Sequence, residues 1–158
     1  MKDSELKKEF LDSMRGVTST VNVISSQYED VKHVMTASSV VSLSLDPPSM
    51  LVCVNKKASI HQILEKEKFF CINILSKDQM DLANLCSSAG NEDSRFNSEE
   101  WSLSKGIPYN TESSANIFCR CFDSFSYTSH TVFFGEVVEV INNNKEGPLM
   151  YGGGKYLV

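Results

Sequence analysis

Met35-Thr36-Ala37-Ser38-Ser39-Val40-Val41-Ser42-Leu43-Ser44-Leu45-Asp46-Pro47-Pro48 is the segment that decides how the chain is read. Val41, Leu43 and Leu45 alternate with Ser42 and Ser44, the period of two that a strand with one apolar face requires. Two prolines then end it, because proline has no N–H to give to a ladder. Five hydroxyls fall within residues 36–44. Such a strand has two readings. Either its polar face is simply wet, or that face lines a site where hydroxyls and backbone N–H groups donate to a phosphate or a polar heterocycle.

Strand patterns continue on both sides of this segment. Upstream, Val17, Ser19, Val21 and Val23 share one face, and Val31 to Met35 forms a second short run. Downstream, Met50 to Val54 is nearly all apolar, as a strand buried on both faces would be. Phe69 to Leu75 reads as a core strand, and Ser113 to Tyr127 and Thr131 to Ile141 as two long strands. Residues 90–107 read as a loop anchored by Trp101, and the tail GPLMYGGGKYLV as irregular. Helical spacing appears at Leu6, Phe10, Leu11 and Met14. Ser59-x-x-Gln62 and Ser76-x-x-Gln79 have the spacing of capping boxes, the second with Leu75 and Met80 set for a hydrophobic staple. Many strands, few helices and no regular βαβ alternation predict one mainly β domain over residues 1–158. Its helices lie at the periphery of an antiparallel barrel or closed sandwich.

With 158 residues, 41% of them hydrophobic, the chain can bury one sizeable core. A formal net charge of −5 disfavours a generally basic nucleic-acid binder. No apolar run reaches the roughly 18 residues of a membrane span. The opening MKDSELKKEFLDSM alternates charged and apolar positions, unlike a signal peptide. Cys53, Cys71, Cys86, Cys119 and Cys121 are odd in number and lack zinc-ligand spacing, so they read as reduced thiols. The expectation is a cytoplasmic protein that binds neither nucleic acid, membrane nor metal.

Several motifs fail. Gly152-Gly153-Gly154-Lys155 looks like a piece of a phosphate loop, but its spacing is wrong and no helix can follow, which leaves a flexible turn. Neither a GxGxxG nor a GxSxG is present. Glu99-Glu100 and Glu92/Asp93 read as solvated surface. Two further features bear on the hydroxyl-rich strand. Asn55-Lys56-Lys57-Ala58-Ser59 leads from a strand into a helix, and helix N-termini attract anions; the alternative is an ordinary solvated lysine loop. His130 stands at the turn between the two long strands, either as a structural residue or as part of a site. His33 and His61 have no such context and are expected at the surface or rim.

Taken in order, these segments resemble the flavin reductase-like family with the FMN-binding split-barrel fold, which includes reductase components of two-component flavin monooxygenases. The resemblance spans residues 10–156. It runs through Met14-Arg15-Gly16-Val17-Thr18, Thr36-Ala37-Ser38-Ser39, Ser42-Leu43-Ser44-Leu45-Asp46-Pro47-Pro48 and Val52-Cys53-Val54-Asn55-Lys56 with Ser59. It continues through Phe70-Cys71-Ile72-Asn73-Ile74-Leu75, Gln79 with Leu82, Arg95-Phe96, Trp101, Gly106-Ile107-Pro108, His130, Gly135-Glu136-Val137 and Pro148-Leu149-Met150-Tyr151. The resemblance implies an antiparallel split β-barrel that binds FMN or FAD and takes hydride from NADH or NADPH. Thr36, Ala37, Ser38, Ser39, Val40, Leu43 and Ser44 would hold the flavin. Asn55, Lys56 and Ser59 would form its phosphate end, Arg95 and Phe96 a further contacting loop, and His130 would sit beside the nicotinamide. It also implies a homodimer and a partner oxygenase. Thr128-Ser129 replaces a Gly-Asp that is common before the histidine, and Lys32-His33-Val34 replaces glycines common before Thr36. A flavin carrier without turnover, or a split-barrel oxidase, would share most of these residues.

Overall fold

The computed structural model describes residues 2–90 and 92–158. The chain runs α1 (Asp3–Met14), β1 (Ser19–Thr20), β2 (Asn22–Tyr28), β3 (Val31–Ala37), β4 (Val40–Leu45), β5 (Pro48–Asn55), α2 (Ser59–Lys66), β6 (Phe69–Ile74) and α3 (Met80–Ser87). A short 3-10 turn (Glu92–Ser94) precedes β7 (Trp101–Ser104), β8 (Ile107–Asn110), β9 (Ala115–Tyr127), β10 (His130–Asn142), β11 (Met150–Gly152) and β12 (Lys155–Leu157). Seven strands form one antiparallel sheet in the order β3-β2-β6-β9-β10-β5-β4.

That order forces closure. β3 and β4 are opposite edges of the sheet, yet only Ser38 and Ser39 separate them in the chain. Six inter-strand gaps would hold the edges of a flat sheet about 29 Å apart. Three Cα steps from Ala37 to Val40 span about 11 Å at most. The sheet therefore curls until β3 comes against β5, while the Cys53 N–H donates to the Ser39 carbonyl at 3.0 Å and carries the β4–β5 ladder one residue past β4. β3 and β4 share no ladder, which leaves the barrel split, as the resemblance implies.

Inside the curl lie Ile24, Val52, Val54, Phe70, Ile72 and Phe133, with Ile60 and Leu64 of α2 packed among them. A second cluster joins Val21, Val23 and Val34 to Ala83 and Cys86 of α3. Val23 and Ile24 point to opposite faces of β2 and both are fully buried, so β2 is a central wall between the clusters. Gly135 is required where β10 crosses the core: a Cβ there would meet the Cys119 Cβ at 2.7 Å and the Phe70 Cζ at 2.8 Å.

A polar knot lies beside the core. Asn73 of β6 is fully buried. Its Nδ2 donates to the Val23 carbonyl at 2.8 Å and to Ser25 Oγ at 2.9 Å. Its Oδ1 accepts from the Asn110 N–H at 2.8 Å and from Asn116 Nδ2 at 2.9 Å. One side chain thereby locks β2, β6, β8 and β9 in register.

Several expectations are corrected. Met50 to Val54 is not buried on both faces: Val52 and Val54 are fully buried, whereas Leu51 and Cys53 are half-buried on the outer face. α1 forms, but none of its residues is buried; Leu6, Phe10 and Leu11 are all exposed. Neither capping box closes. α2 starts after Ala58 with no side-chain cap, and Ser59 is its first residue. Gln79 does reach back to the Ser76 N–H at 3.0 Å, but α3 begins only at Met80. Trp101 opens a hairpin within the stretch expected to be loop, and packs against Phe96 with ring centroids 4.7 Å apart and the planes tilted by 58°. The tail is regular: β11 pairs with β1 and with β12. His61 is buried, 5% exposed, not at the surface. The Asp93 side chain lies outside the described residues. No helix among the described residues is long and apolar enough to cross a membrane.

The knot gives the first prediction. Asn73→Ala removes four buried hydrogen bonds and should lower the free energy of unfolding by about 3 kcal/mol or more. In the same urea titrations Ser102→Ala, on the exposed hairpin, should stay within about 0.5 kcal/mol of the parent. Equal losses in the two variants would contradict the assigned role.

Candidate functional site

The barrel seam opens into two adjoining clefts. One, of about 740 Å³, is lined by Ser38 and Ser39 at the seam, Leu51 and Cys53 of β5, Arg15 after α1 and Gly152–Gly154 at the tip of the β11–β12 hairpin. The other, of about 660 Å³, lies between Thr36 of β3, Asn84 and Ser87 of α3, and Lys155 and Tyr156 of β12. Ser38, Tyr151 and Gly154 line both. Each volume is of ligand-pocket size.

The hydroxyl-rich segment places its residues here because it is the seam. Ser38 and Ser39 link β3 to β4 and stand exposed. Thr36 lines the second cleft while its hydroxyl donates to the Ala83 carbonyl at 2.7 Å, tying α3 to β3. Ala37 and Val40 turn into the core cluster on either side. Leu43 is the extra residue of a bulge opposite β5 and is exposed. Ser44 lies at the far end of β4, where its hydroxyl accepts from the Asp46 N–H at 3.1 Å in the turn. The structure thus gathers Thr36, Ser38 and Ser39 at the clefts and leaves Leu43 and Ser44 at the remote end of the strand.

A second group lies along the same sheet face. Cross-strand partners share a face, and β5 pairs with β10 so that Cys53 faces Val132 and Asn55 faces His130. Asn55 and His130 therefore continue the outer face that carries Leu51 and Cys53, about 7 Å farther along the strand. Lys56 joins them, its N–H donating to the Ser129 carbonyl at 2.9 Å. Asn55 Oδ1 accepts from the Lys57 N–H at 2.9 Å and shapes the loop into α2, where Ser59 is exposed. His130 is exposed, with its Nδ1 2.9 Å from Ser129 Oγ. Its hairpin keeps a two-residue loop although Thr128 adopts φ +46°, a region that a β-branched residue seldom enters.

Arg95 and Phe96 stand apart from both groups. Arg95 is buried, and its guanidinium donates to the Val34 carbonyl at 3.0 Å and to the Ser88 carbonyl. It braces the end of α3 against β3, behind the wall of the second cleft. Phe96 packs with Trp101 into the α3 cluster.

The sequence reading missed the C-terminal hairpin. Gly153 and Gly154 take φ of +62° and +80°, the two positive values of a type I′ turn. A Cβ on Gly152 would lie 2.6 Å from Thr18 Oγ1, so the hairpin sits close against the chain after α1. Gly153 also donates to the Arg15 carbonyl at 2.9 Å. The available signal was the Gly-Gly pair between two short apolar runs, a hairpin pattern rather than a failed phosphate loop. Leu51 and Cys53 were missed because a cleft-facing apolar residue looks the same in sequence as a buried one.

Charge and thiol chemistry fit a ligand that carries phosphate. Arg15 stands in the first cleft and Lys155 in the second, two cations in a chain of negative net charge. Burial, with Tyr151 beside it, raises the Tyr156 hydroxyl above its ordinary range. Burial pushes Cys119 up to about 12 and Cys86 up to about 11, so neither is a nucleophile at neutral pH. Exposed hydroxyls, glycine backbone and two cations around a partly apolar cleft match a flavin, which has a flat apolar ring, a polar edge and a phosphate.

Comparison with known proteins agrees with this chemistry. The model of the flavin reductase like domain matches residues 14–157. The chain is 34% identical over 150 residues to the reductase component of an FADH(2)-dependent resorcinol hydroxylase from Rhizobium sp., covering 93% of this chain and 84% of that protein. It is 30% identical over 148 residues to an FMN reductase (NADH) from Pseudomonas syringae, covering 93% and 83%. Among solved structures, a Streptomyces globisporus NADH:FAD oxidoreductase in complex with NAD and FAD fragments superposes with a TM-score of 0.89 at 25% identity, covering 100% of this chain and 95% of that one. With the family's model matched over nearly its whole length and its barrel split at a serine seam, the chain belongs to the flavin reductase-like family.

Proposed function

We propose that the protein is an NAD(P)H-dependent flavin reductase that binds FMN or FAD at the barrel seam and passes reduced flavin to a partner oxygenase. The observation that carries this reading is the single outer face on which Ser39, Cys53, Asn55 and His130 follow one another. A cleft of ligand size and an exposed imidazole on one face support that reading.

Bound at the seam, flavin would supply the hydride acceptor and reduced nicotinamide the donor. The chain's part is to bind and orient. Ser38 and Ser39 donate hydroxyls at the polar edge of the ring or along the ribityl chain. Arg15 and Lys155 offer positive charge to phosphate. Asn55, Lys56 and the α2 N-terminus form a second anion-attracting end. His130 orients the nicotinamide with a hydrogen bond. The residues around the seam would hold the two heterocycles in register, and none of them is needed as a nucleophile.

The same face supports a homodimer. Phe125 and Tyr127 of β9 are 61% and 71% exposed, and Val41 of β4 is 54% exposed, all beside the site. Such a patch normally meets a partner, and a second copy covering it would place the flavin at the subunit interface. Five free thiols suit the reducing cytoplasm, where we place the protein.

The direct test follows oxidation of NADH and NADPH with FMN, FAD or riboflavin added. Turnover of added flavin supports the reductase, whereas a bound flavin that is never reduced supports a carrier. Ser38→Leu fills the rim that both clefts share and should raise the flavin Kd about tenfold or more, a loss of about 1.4 kcal/mol. His130→Ala should raise the nicotinamide KM about tenfold while the flavin Kd stays within about twofold. Wild-type binding in the first variant, or an unmoved KM in the second, contradicts the assignment. Phe125→Asp should convert a dimer to a monomer in light scattering, because a charge placed inside an apolar interface is costly.

A further inference from the structure

Behind the outer face that carries His130, a hydrogen-bonded chain runs from the buried His61 through the buried Thr131 to Ser126. His61 lies in the first turn of α2 with its ring edge-on to Phe133 at 5.5 Å. Its Nε2 is 2.8 Å from Thr131 Oγ1, and Thr131 Oγ1 is 2.9 Å from Ser126 Oγ. Thr131 is 2% exposed. Glu65 stands 3.8 Å from the other ring nitrogen, beyond hydrogen-bond reach. One side chain on α2 thus holds β10 directly, and β9 through Thr131, at the register pair next to the hairpin tip.

The position of this tie gives it a consequence. His130 and Thr131 are successive strand residues and point to opposite faces. Thr131 faces inward to His61, while His130 faces outward beside Asn55. Hairpin tips are among the first parts of a fold to open, and this tip carries Thr128 in a disfavoured conformation. The Lys56 N–H bond to the Ser129 carbonyl ties it to the β5–α2 loop. His61 adds a buried side-chain anchor from the helix that this same loop begins. A leucine could fill the space, but it would leave the buried Thr131 hydroxyl without its histidine partner.

We infer that His61, acting through Thr131, is a positioning residue for nicotinamide binding: it fixes the hairpin tip so that His130 stays at a constant place opposite Asn55 and Lys56. The inference rests on the reading of His130 as the residue that faces the nicotinamide.

Three variants test it: His61→Leu, His61→Gln and Thr131→Val. The first and third remove the bond, and the second keeps an amide at the reach of Nε2. Each is assayed for nicotinamide KM, kcat and flavin Kd, and the Lys56 amide is followed by hydrogen exchange. His61→Leu and Thr131→Val should each raise the nicotinamide KM about tenfold, with kcat and flavin Kd within about twofold. The double variant should be no worse than either single one. His61→Gln should restore KM to within about threefold. Lys56 should exchange about tenfold faster in His61→Leu and recover in His61→Gln. An unmoved KM in His61→Leu overturns the inference, whether or not exchange changes. A KM and flavin Kd that rise together also overturn it, since general loosening would do that. A wild-type chain that oxidises no reduced nicotinamide with any flavin fails at the functional reading itself, whereas an active wild type with an unaffected His61→Leu fails at the inference alone.

Discussion

Two residues, Ser38 and Ser39, carry the chain from one edge of a seven-stranded sheet to the other, and this short link is the constraint on which the rest depends. A link so short cannot cross a flat sheet, so the strands must curl. Curling creates an interior for Val52, Val54, Phe70 and Phe133 and leaves a seam at which no ladder forms. At that seam the hydroxyls of Ser38 and Ser39 stand at the surface. The closure that makes the core also makes the seam at which we propose flavin binds.

The elements around the seam follow from the same geometry. The C-terminal hairpin lies along β1 and brings Tyr151 and three glycines to one side of the cleft. α3, tied to β3 by Thr36 and braced by Arg95, forms a wall on the other. The buried amide knot around Asn73 fixes the central strands, so the seam and the His130 hairpin are displayed by a rigid sheet. For a flavin reductase this division of labour fits the chemistry: hydride moves between two bound heterocycles, and the protein contributes placement.

Much of this was legible in the sequence because it rests on local pattern. Alternation in Val41 to Leu45, the double proline, and the runs around Phe70 and Phe133 each declare a strand within a few residues. The order of short motifs, from Thr36-Ala37-Ser38-Ser39 to His130, pointed to the family and the cofactor class. What escaped depends on contacts between distant residues. His61 meets Thr131 across 70 positions, and nothing near either residue announces it. Arg95 reads as a ligand-binding cation, yet its guanidinium reaches back to the Val34 and Ser88 carbonyls. The apolar alternation of β4 identified a strand but not what covers it: Val41, Leu43 and Leu45 are all exposed in a single chain. The same holds for α1, whose apolar stripe finds no burial within the chain. Ser59 has the right spacing for a cap but falls one residue inside its helix.

The central claim is that flavin sits at the barrel seam, and a crystal structure of the protein grown with saturating FMN or FAD tests it most directly. The account predicts the tricyclic ring against Ser38, Ser39 and Cys53 with the Gly152–Gly154 turn beside it, and the nicotinamide-facing side of the ring open toward His130. A ring bound elsewhere, for instance in the groove lined by Lys68 and Arg120 on the far side of β9, would contradict it.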